Sequence, residues 1–125
     1  MLTQFGAVAL GGAVGCVLRY AGTLGATRFL GAGFPWGTLF VNLLGCLLAG
    51  FVFSIAAKHA GLSPTVRLLV LTGFLGGFTT FSTFMVETVT LIQDGSWLLA
   101  AGSFVGNNVA GAVLALAGIY LGRLA

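Results

Sequence analysis

The third apolar segment of the chain contains Gly73-Phe74-Leu75-Gly76-Gly77-Phe78-Thr79-Thr80-Phe81-Ser82-Thr83-Phe84. Its glycines weaken a helix, because each is less favourable there than alanine by up to about 1 kcal/mol. Hydroxyl side chains interleaved with aromatic rings follow the glycines. A helix interrupted inside a bilayer is tolerated only where protein or a water-filled cavity surrounds the freed backbone groups. The stretch therefore predicts a helix broken near residues 73–79, and the break is the candidate functional centre.

The composition indicates an integral membrane protein. Of the 125 residues, 58% are hydrophobic and only 6% are charged, whereas a soluble domain carries about 25% charged residues. The apolar runs are continuous, which argues against a β-barrel. Because a spanning helix needs about 20 apolar residues, we predict one all-α domain of four transmembrane helices. These are expected at about residues 5–22, 37–57, 66–92 and 96–121.

Several functional classes find no support in the sequence. It has no Ser/His/Asp set, no carboxylate pair and no phosphate-binding loop, so we do not expect an enzyme. Cys16 and Cys46 fall within predicted spans and are interpreted as small buried residues. The single histidine, His59, falls in a predicted loop and suggests no metal site. The net charge of +3 suits loops beside a lipid bilayer and does not indicate nucleic acid as a partner.

Polar residues after the predicted break share one side of the third helix. A helix turns by about 100° per residue, which places Thr80, Thr83 and Glu87 on one stripe. Phe81 and Phe84 flank that stripe, and the edges of aromatic rings carry partial positive charge. Donors and ring edges favour a small, strongly hydrated anion. Backbone carbonyls freed at the break would instead suit a hard cation such as Na⁺.

Three other segments carry polar residues at membrane depth. Asn42 needs hydrogen-bond partners there, and it acts either as a link between helices or as a donor facing a pore; we favour the pore. Thr38 precedes Asn42 by one turn on the same face. Asn107 lies in the middle of the fourth segment and is open to the same two interpretations. Arg19 is either a snorkelling surface anchor or a buried structural or anion-attracting charge.

The distribution of small and basic residues predicts an oligomer. The 21 glycines allow close approach of helices in lipid. Four helices enclose little space, so a partner is needed to build a pathway. Basic residues divide three against two between the predicted membrane sides, which is a weak bias under the positive-inside rule. The chain is therefore expected to insert in both orientations.

Three motifs carry a resemblance to a known family. They are Gly11-Gly12-x-x-Gly15 followed by Arg19-Tyr20, Gly37-Thr38-Leu39-x-Val41-Asn42-x-x-Gly45, and Gly76-Gly77-Phe78-Thr79-Thr80-Phe81-Ser82-Thr83-Phe84. With these motifs the chain resembles the Fluc/CrcB fluoride channel family over nearly its whole length. The resemblance implies a four-helix subunit that pairs antiparallel with a second copy in the cell membrane, as expected of a prokaryote. It further implies passive, highly selective fluoride export through two pores per dimer, with a central structural Na⁺.

The resemblance also implies roles for individual residues. Phe81 and Phe84 match the phenylalanine pair along the pore, and Arg19 matches an arginine of the first helix. Gly76 and Thr79 match positions whose backbone carbonyls hold Na⁺. The fourth segment departs from the family, whose members often carry a polar residue followed by serines at four-residue spacing. Here Asn107 is expected to take the place of the first polar residue, and the serines are absent, so Asn107 is the remaining polar group of that face. The fluoride pathway is thus expected to comprise Asn42, Phe81, Phe84, Thr80, Ser82, Thr83, Glu87, Asn107 and Thr38.

Two other functions fit parts of the sequence. A small proton-coupled cation or multidrug exchanger needs a carboxylate embedded in the membrane. Glu87 is the only candidate, and it falls near one end of its segment. A subunit that serves assembly without transport is also compatible with the sequence, but it does not explain the hydroxyl-rich break.

Overall fold

Four long apolar helices make up the protein. The computed structural model describes residues 1–58 and 62–125, and within these ranges it contains helices and no strand. The helices are α1 (Leu2–Leu30), α2 (Trp36–Lys58), α3 (Pro64–Gln93) and α4 (Trp97–Leu124). Each is long and apolar enough to cross a bilayer, so the predicted all-α, multi-pass membrane architecture is confirmed. His59 lies outside the described residues.

The first helix extends further than the sequence suggested. The prediction ended it near residue 22, whereas α1 continues to Leu30 and stops at Gly31, whose φ of 85° ends the helix. Gly22 and Gly25 lie inside α1, because a glycine weakens a helix by only about 1 kcal/mol and does not end it. Arg19 consequently lies more than two turns from either end of α1. A snorkelling anchor at the end of a helix is therefore the weaker of its two interpretations.

The start of α3 and the turn that follows this helix conform to local sequence signals. Ser63 caps α3 by accepting a hydrogen bond from the Val66 amide at 3.3 Å, and Pro64 occupies the first helical position. A serine cap followed by proline is a favourable start for a helix. Gly95 adopts a φ of 75° in the turn between α3 and α4.

The break in α3 is shorter than predicted and lies at the end of the expected range. The helix passes through the glycines as a π-helical stretch, Leu68–Leu75, and a short turn, Gly76–Phe78. Thr79 and Thr80 then adopt extended backbone conformations, and a second helical part, Phe81–Gln93, follows. The expectation that the glycines themselves interrupt the helix is therefore wrong, because Gly73, Gly76 and Gly77 all lie in helical turns before the break.

These glycines instead bring α3 against α1. A Cβ atom on Gly77 would lie 2.7 Å from the carbonyl oxygen of Gly12, and one on Gly15 would lie 2.1 Å from that of Phe74. No side chain fits between backbones at such distances. The small residues therefore allow van der Waals contact between two membrane helices, which lipid does not drive together by the hydrophobic effect.

Helices α2 and α4 meet in the same way. A Cβ atom on Gly50 would lie 2.2 Å from the Ala115 carbonyl oxygen, and one on Gly118 would lie 2.1 Å from that of Leu47. Two helix pairs in backbone-to-backbone contact, α1 with α3 and α2 with α4, thus form the framework of the protein.

Candidate functional site

Asn42 of α2 binds the backbone of the break. Its Nδ2 donates to the Thr80 carbonyl oxygen at 2.9 Å, and the Thr80 amide donates to its Oδ1 at 2.8 Å. The amide side chain thereby replaces the hydrogen bonds that a continuous helix would supply. Its Nδ2 also donates to Oδ1 of Asn107 on α4 at 2.8 Å. Asn42 therefore links α2, α3 and α4 at the break.

The break frees backbone carbonyls, among them those of Gly76 and Thr79. In a continuous α-helix the Thr80 amide would donate to the Gly76 carbonyl, and the Thr83 amide would donate to that of Thr79. Here the Thr80 amide donates to Asn42, and the Thr83 amide donates to the Thr80 hydroxyl at 3.3 Å. The oxygens of Gly76 and Thr79 thus lose their usual donors. Such oxygens are suitable ligands for a hard cation, so these two residues fit the Na⁺ site that the resemblance implies.

A cavity of about 400 Å³ lies beside the break. Helices α2, α3 and α4 all contribute to its wall, and most of the predicted site residues meet there. Among its lining residues are Asn42, Gly76, Thr79, Thr80, Phe81, Phe84 and Asn107. The cavity is largely apolar in residue type, with amides and hydroxyls at a few points, and none of its lining residues is a carboxylate.

The two phenylalanines of the site have different environments. The ring of Phe84 is 2% exposed, whereas that of Phe81 is 69% exposed. Their centroids lie 5.6 Å apart with an interplanar angle of 71°, an edge-to-face arrangement. The second part of α3 begins at Phe81, so the positive end of its helix dipole lies beside the rings. Ring edges and a helix N-terminus together form an environment that favours an anion.

Arg19 lies in a second cavity, of about 190 Å³. Thr38, Thr80 and Thr83 line this cavity with hydroxyl groups, and Thr80 also lines the first one. The Thr80 hydroxyl donates to that of Thr83 at 3.1 Å. The guanidinium of Arg19 donates to Sγ of Cys16 at 3.8 Å. A cation and several hydroxyls therefore approach the break from a second cavity, which shares Thr80 with the first one.

Glu87 lies about one helical turn after Phe84 but does not line the cavity at the break. It lines a third cavity, of about 440 Å³, together with Thr90 and Asp94 near the end of α3. Its Oε2 atom is buried and has no hydrogen-bond partner among residues 1–58 and 62–125. The Thr38 hydroxyl lies beside its carboxyl group. Ser82 is exposed and lines none of the three cavities.

Sequence reasoning missed two buried hydroxyls behind the site. The Thr88 hydroxyl donates to the Phe84 carbonyl at 2.8 Å and lies 2.9 Å from Oγ of Ser103, which is fully buried. Each of them lies one helical turn from a predicted site residue, Ser103 before Asn107 and Thr88 after Phe84. The four-residue spacing places each hydroxyl on the same helix face as a site residue, and the sequence contains that information. Only the structure shows that the two hydroxyls lie next to each other.

The fold and the site together define a class of protein. Four membrane-spanning helices, one of them broken at a point where polar groups line cavities, are typical of membrane transport proteins. The sequence model of the family described as CrcB-like protein, Camphor Resistance (CrcB), matches residues 6–119 of the chain. The chain belongs to this family, and the membership predicted from the three motifs is confirmed.

Relatives match over nearly the whole chain. A protein of Chloroflexus aurantiacus is 46% identical over 117 residues, which cover 94% of this chain and 93% of the relative. A protein of Roseiflexus sp. is 47% identical over 116 residues, which cover 93% of this chain and 90% of the relative. A protein of Magnetococcus marinus is 44% identical over 121 residues, which cover 97% of this chain and 98% of the relative. Each of these relatives bears the name fluoride-specific ion channel FluC.

Proposed function

We propose that the protein is a passive, highly selective fluoride channel that exports F⁻ across a prokaryotic cell membrane. The observation that carries the proposal is the broken α3, where ring edges, hydroxyls and a helix N-terminus meet at membrane depth. No carboxylate lines the cavity at that point. The name that the relatives share supports the same ion.

The chemistry of the break suits fluoride. A small anion leaves its hydration shell only if donors replace the water. The hydroxyls of Thr80 and Thr83 and the edges of Phe81 and Phe84 would do so without a full positive charge, which would hold the ion too tightly to leave. Arg19, in the adjoining cavity, would raise the local concentration of anions. Thr38, Ser82 and Glu87 would continue the path toward the end of α3.

We infer that two copies form an antiparallel homodimer. The exposed ring of Phe81 and the freed carbonyls of Gly76 and Thr79 lie within a membrane span. Irregular backbone at this depth needs protein or water around it. A second copy related by a two-fold axis would cover the break of each subunit with that of the other. Two equivalent pathways would result.

In such a dimer, Gly76 and Thr79 of each subunit would offer their carbonyl oxygens to a structural Na⁺. Bound there, the cation would neutralise the partial negative charge of the freed oxygens and hold the two breaks together. Na⁺ would therefore support the structure and would take no part in conduction.

Efflux from liposomes tests the proposed function. Purified protein is reconstituted, and fluoride- and chloride-selective electrodes follow release after valinomycin is added to balance charge with K⁺. We expect fast fluoride efflux and little chloride efflux. Phe81→Ile or Phe84→Ile should abolish fluoride flux in protein that still assembles. Phe53→Ile, at a site 62% exposed on α2 and outside the three cavities, is the matched control and should conduct.

Two results would contradict the proposal. One is the absence of fluoride efflux from correctly folded wild-type protein. The other is normal flux in both phenylalanine variants, which would mean that the ion does not pass the rings.

A second candidate function is a small proton-coupled cation or multidrug exchanger that uses Glu87. The observation that favours it is the buried, unpaired Oε2 of this residue, because transporters use such carboxylates to bind protons and cations. The position of Glu87 near the end of α3, in a cavity away from the break, makes this the weaker candidate.

A further inference from the structure

The orientation of the Asn42 amide is determined by the backbone it binds. The Thr80 carbonyl can only accept and the Thr80 amide can only donate. Nδ2 of Asn42 must therefore face the carbonyl, at 2.9 Å, and Oδ1 must face the amide, at 2.8 Å. The remaining hydrogen of Nδ2 points to Oδ1 of Asn107, at 2.8 Å. Both hydrogens of Asn42 are thus engaged within the protein.

A second hydrogen bond, within α4, fixes the side chain of Asn107. Its Nδ2 donates to the Ser103 carbonyl, one turn earlier on α4, at 2.9 Å. The amide of Asn107 thus donates to Ser103 and accepts from Asn42 at the same time, which an apolar side chain cannot do. Asn107 lies in a π-helical turn, Gly106–Ala110, and such turns occur frequently at functional sites. The orientation of Asn42 is therefore specified by α4 as well as by the break.

The same hydrogen bonds extend back to the phenylalanines. Ser103 meets the hydroxyl of Thr88 at 2.9 Å, and Thr88 donates to the Phe84 carbonyl at 2.8 Å. A continuous polar network thus leaves α3 at Thr80, crosses α2 and α4, and returns to α3 at Phe84. It spans the part of α3 that contains both rings.

We propose that Asn107 is a positioning residue for ion passage. By accepting a hydrogen bond from Asn42, it fixes the amide that holds Thr80 in its extended conformation, and it thereby sets where the ring of Phe81 stands relative to that of Phe84. Asn107 acts through Asn42 and does not bind the ion in this role. The inference rests on the proposed fluoride function, and one of its tests is independent of transport.

The adjacent residue supplies a matched control. Asn108 donates to the Phe104 carbonyl at 2.8 Å, the same one-turn bond that Asn107 makes to Ser103. Asn108 is exposed and makes no hydrogen bond to α2 in the described chain. Asn107→Leu and Asn108→Leu therefore remove equivalent bonds within α4. Only the first also removes the bond to Asn42.

The first measurement is hydrogen–deuterium exchange of the Thr80 backbone amide, followed by NMR in detergent micelles. We expect Asn107→Leu to speed exchange about tenfold, the change that the loss of one buried hydrogen bond produces. Asn108→Leu should leave the rate at the wild-type value. Equal exchange in both variants would overturn the proposal. If Asn107→Leu does not fold, Asn107→Ala makes the same test with a smaller change of shape.

The second measurement is fluoride and chloride efflux from liposomes. Asn107→Leu should lower fluoride flux about tenfold and reduce its selectivity over chloride. Asn108 lines the same cavity at the break as Asn107, so Asn108→Leu serves as the control for the exchange measurement only. Adding Asn107→Leu to Asn42→Ser should bring no further loss, because both changes remove the same bond. Multiplied losses in the double variant would overturn the proposal. Wild-type protein without fluoride flux would refute the proposed function, while the Thr80 exchange rates would still test the link through Asn107.

Discussion

Replacing Gly15 by alanine tests the backbone contact between α1 and α3. A Cβ atom at this position would lie 2.1 Å from the Phe74 carbonyl oxygen and 2.9 Å from the Phe78 amide nitrogen. Real Cβ contacts essentially never fall below 3.0 Å, so the helices would have to separate by at least about 0.9 Å. Both obstructing atoms belong to the backbone and cannot rotate away.

The expected cost follows from two opposing effects. Overpacking of this kind destabilises by about 1–3 kcal/mol, and the better helix propensity of alanine offsets up to about 1 kcal/mol. Taking the middle of the first range, about 2 kcal/mol, less an offset of about 1 kcal/mol, we expect Gly15→Ala to lower the free energy of unfolding by about 1 kcal/mol. Because Phe78 directly precedes the break, the shift should also lower fluoride flux.

Gly12 provides the control on the same helix. Its added Cβ atom would lie 3.8 Å from the Gly73 carbonyl oxygen, an ordinary van der Waals distance. Gly12→Ala should thus be as stable as the wild type or more stable. Unfolding by SDS in mixed micelles, followed by the fluorescence of Trp36 and Trp97, measures both variants. Equal stability of the two variants would refute the close approach of α1 and α3.

Two further predictions concern the candidate ion sites. Glu87→Gln should retain fluoride efflux that does not depend on an imposed proton gradient, because a channel needs no proton-binding carboxylate; loss of transport in this variant would favour the exchanger. Exchange of Na⁺ for N-methyl-D-glucamine during purification should lower the midpoint of thermal unfolding, since the freed carbonyls of Gly76 and Thr79 would lose their ligand. An unchanged midpoint would count against the structural Na⁺.

Much of the candidate site could be predicted from local sequence. The residues that line the cavity at the break include Asn42, Phe81 and Phe84, all of which the motifs had indicated. Hydroxyls and aromatic rings within an apolar run are unusual enough to mark a function. The structural role of Gly73 and Gly77 could not be predicted from local sequence. A glycine weakens a helix and also permits close packing, and the sequence does not show which property is used.

Local sequence patterns likewise could not predict the hydrogen-bond partners of the polar side chains. Asn42 bonds to Thr80, 38 positions away, and to Asn107, 65 positions away. A pattern within one helix predicts the face on which an amide lies but not what the neighbouring helix presents to it. Sequence reasoning accordingly weighed a link against a pore donor for Asn42 and favoured the pore donor. The structure shows that both hydrogens of its side-chain amide are engaged in links between helices.

The amino-acid sequence alone determined that this chain resides in a membrane as four helices, that the third is interrupted, and which family it resembles. These properties follow from composition, segment length and short motifs, which depend on neighbouring residues in the chain. Only the tertiary structure established the position of the break at Thr79 and Thr80, the position of Arg19 well inside α1, and the burial of Phe84 beside an exposed Phe81. Each of these depends on how closely separate helices approach, because space and hydrogen-bond partners are supplied by residues distant in sequence.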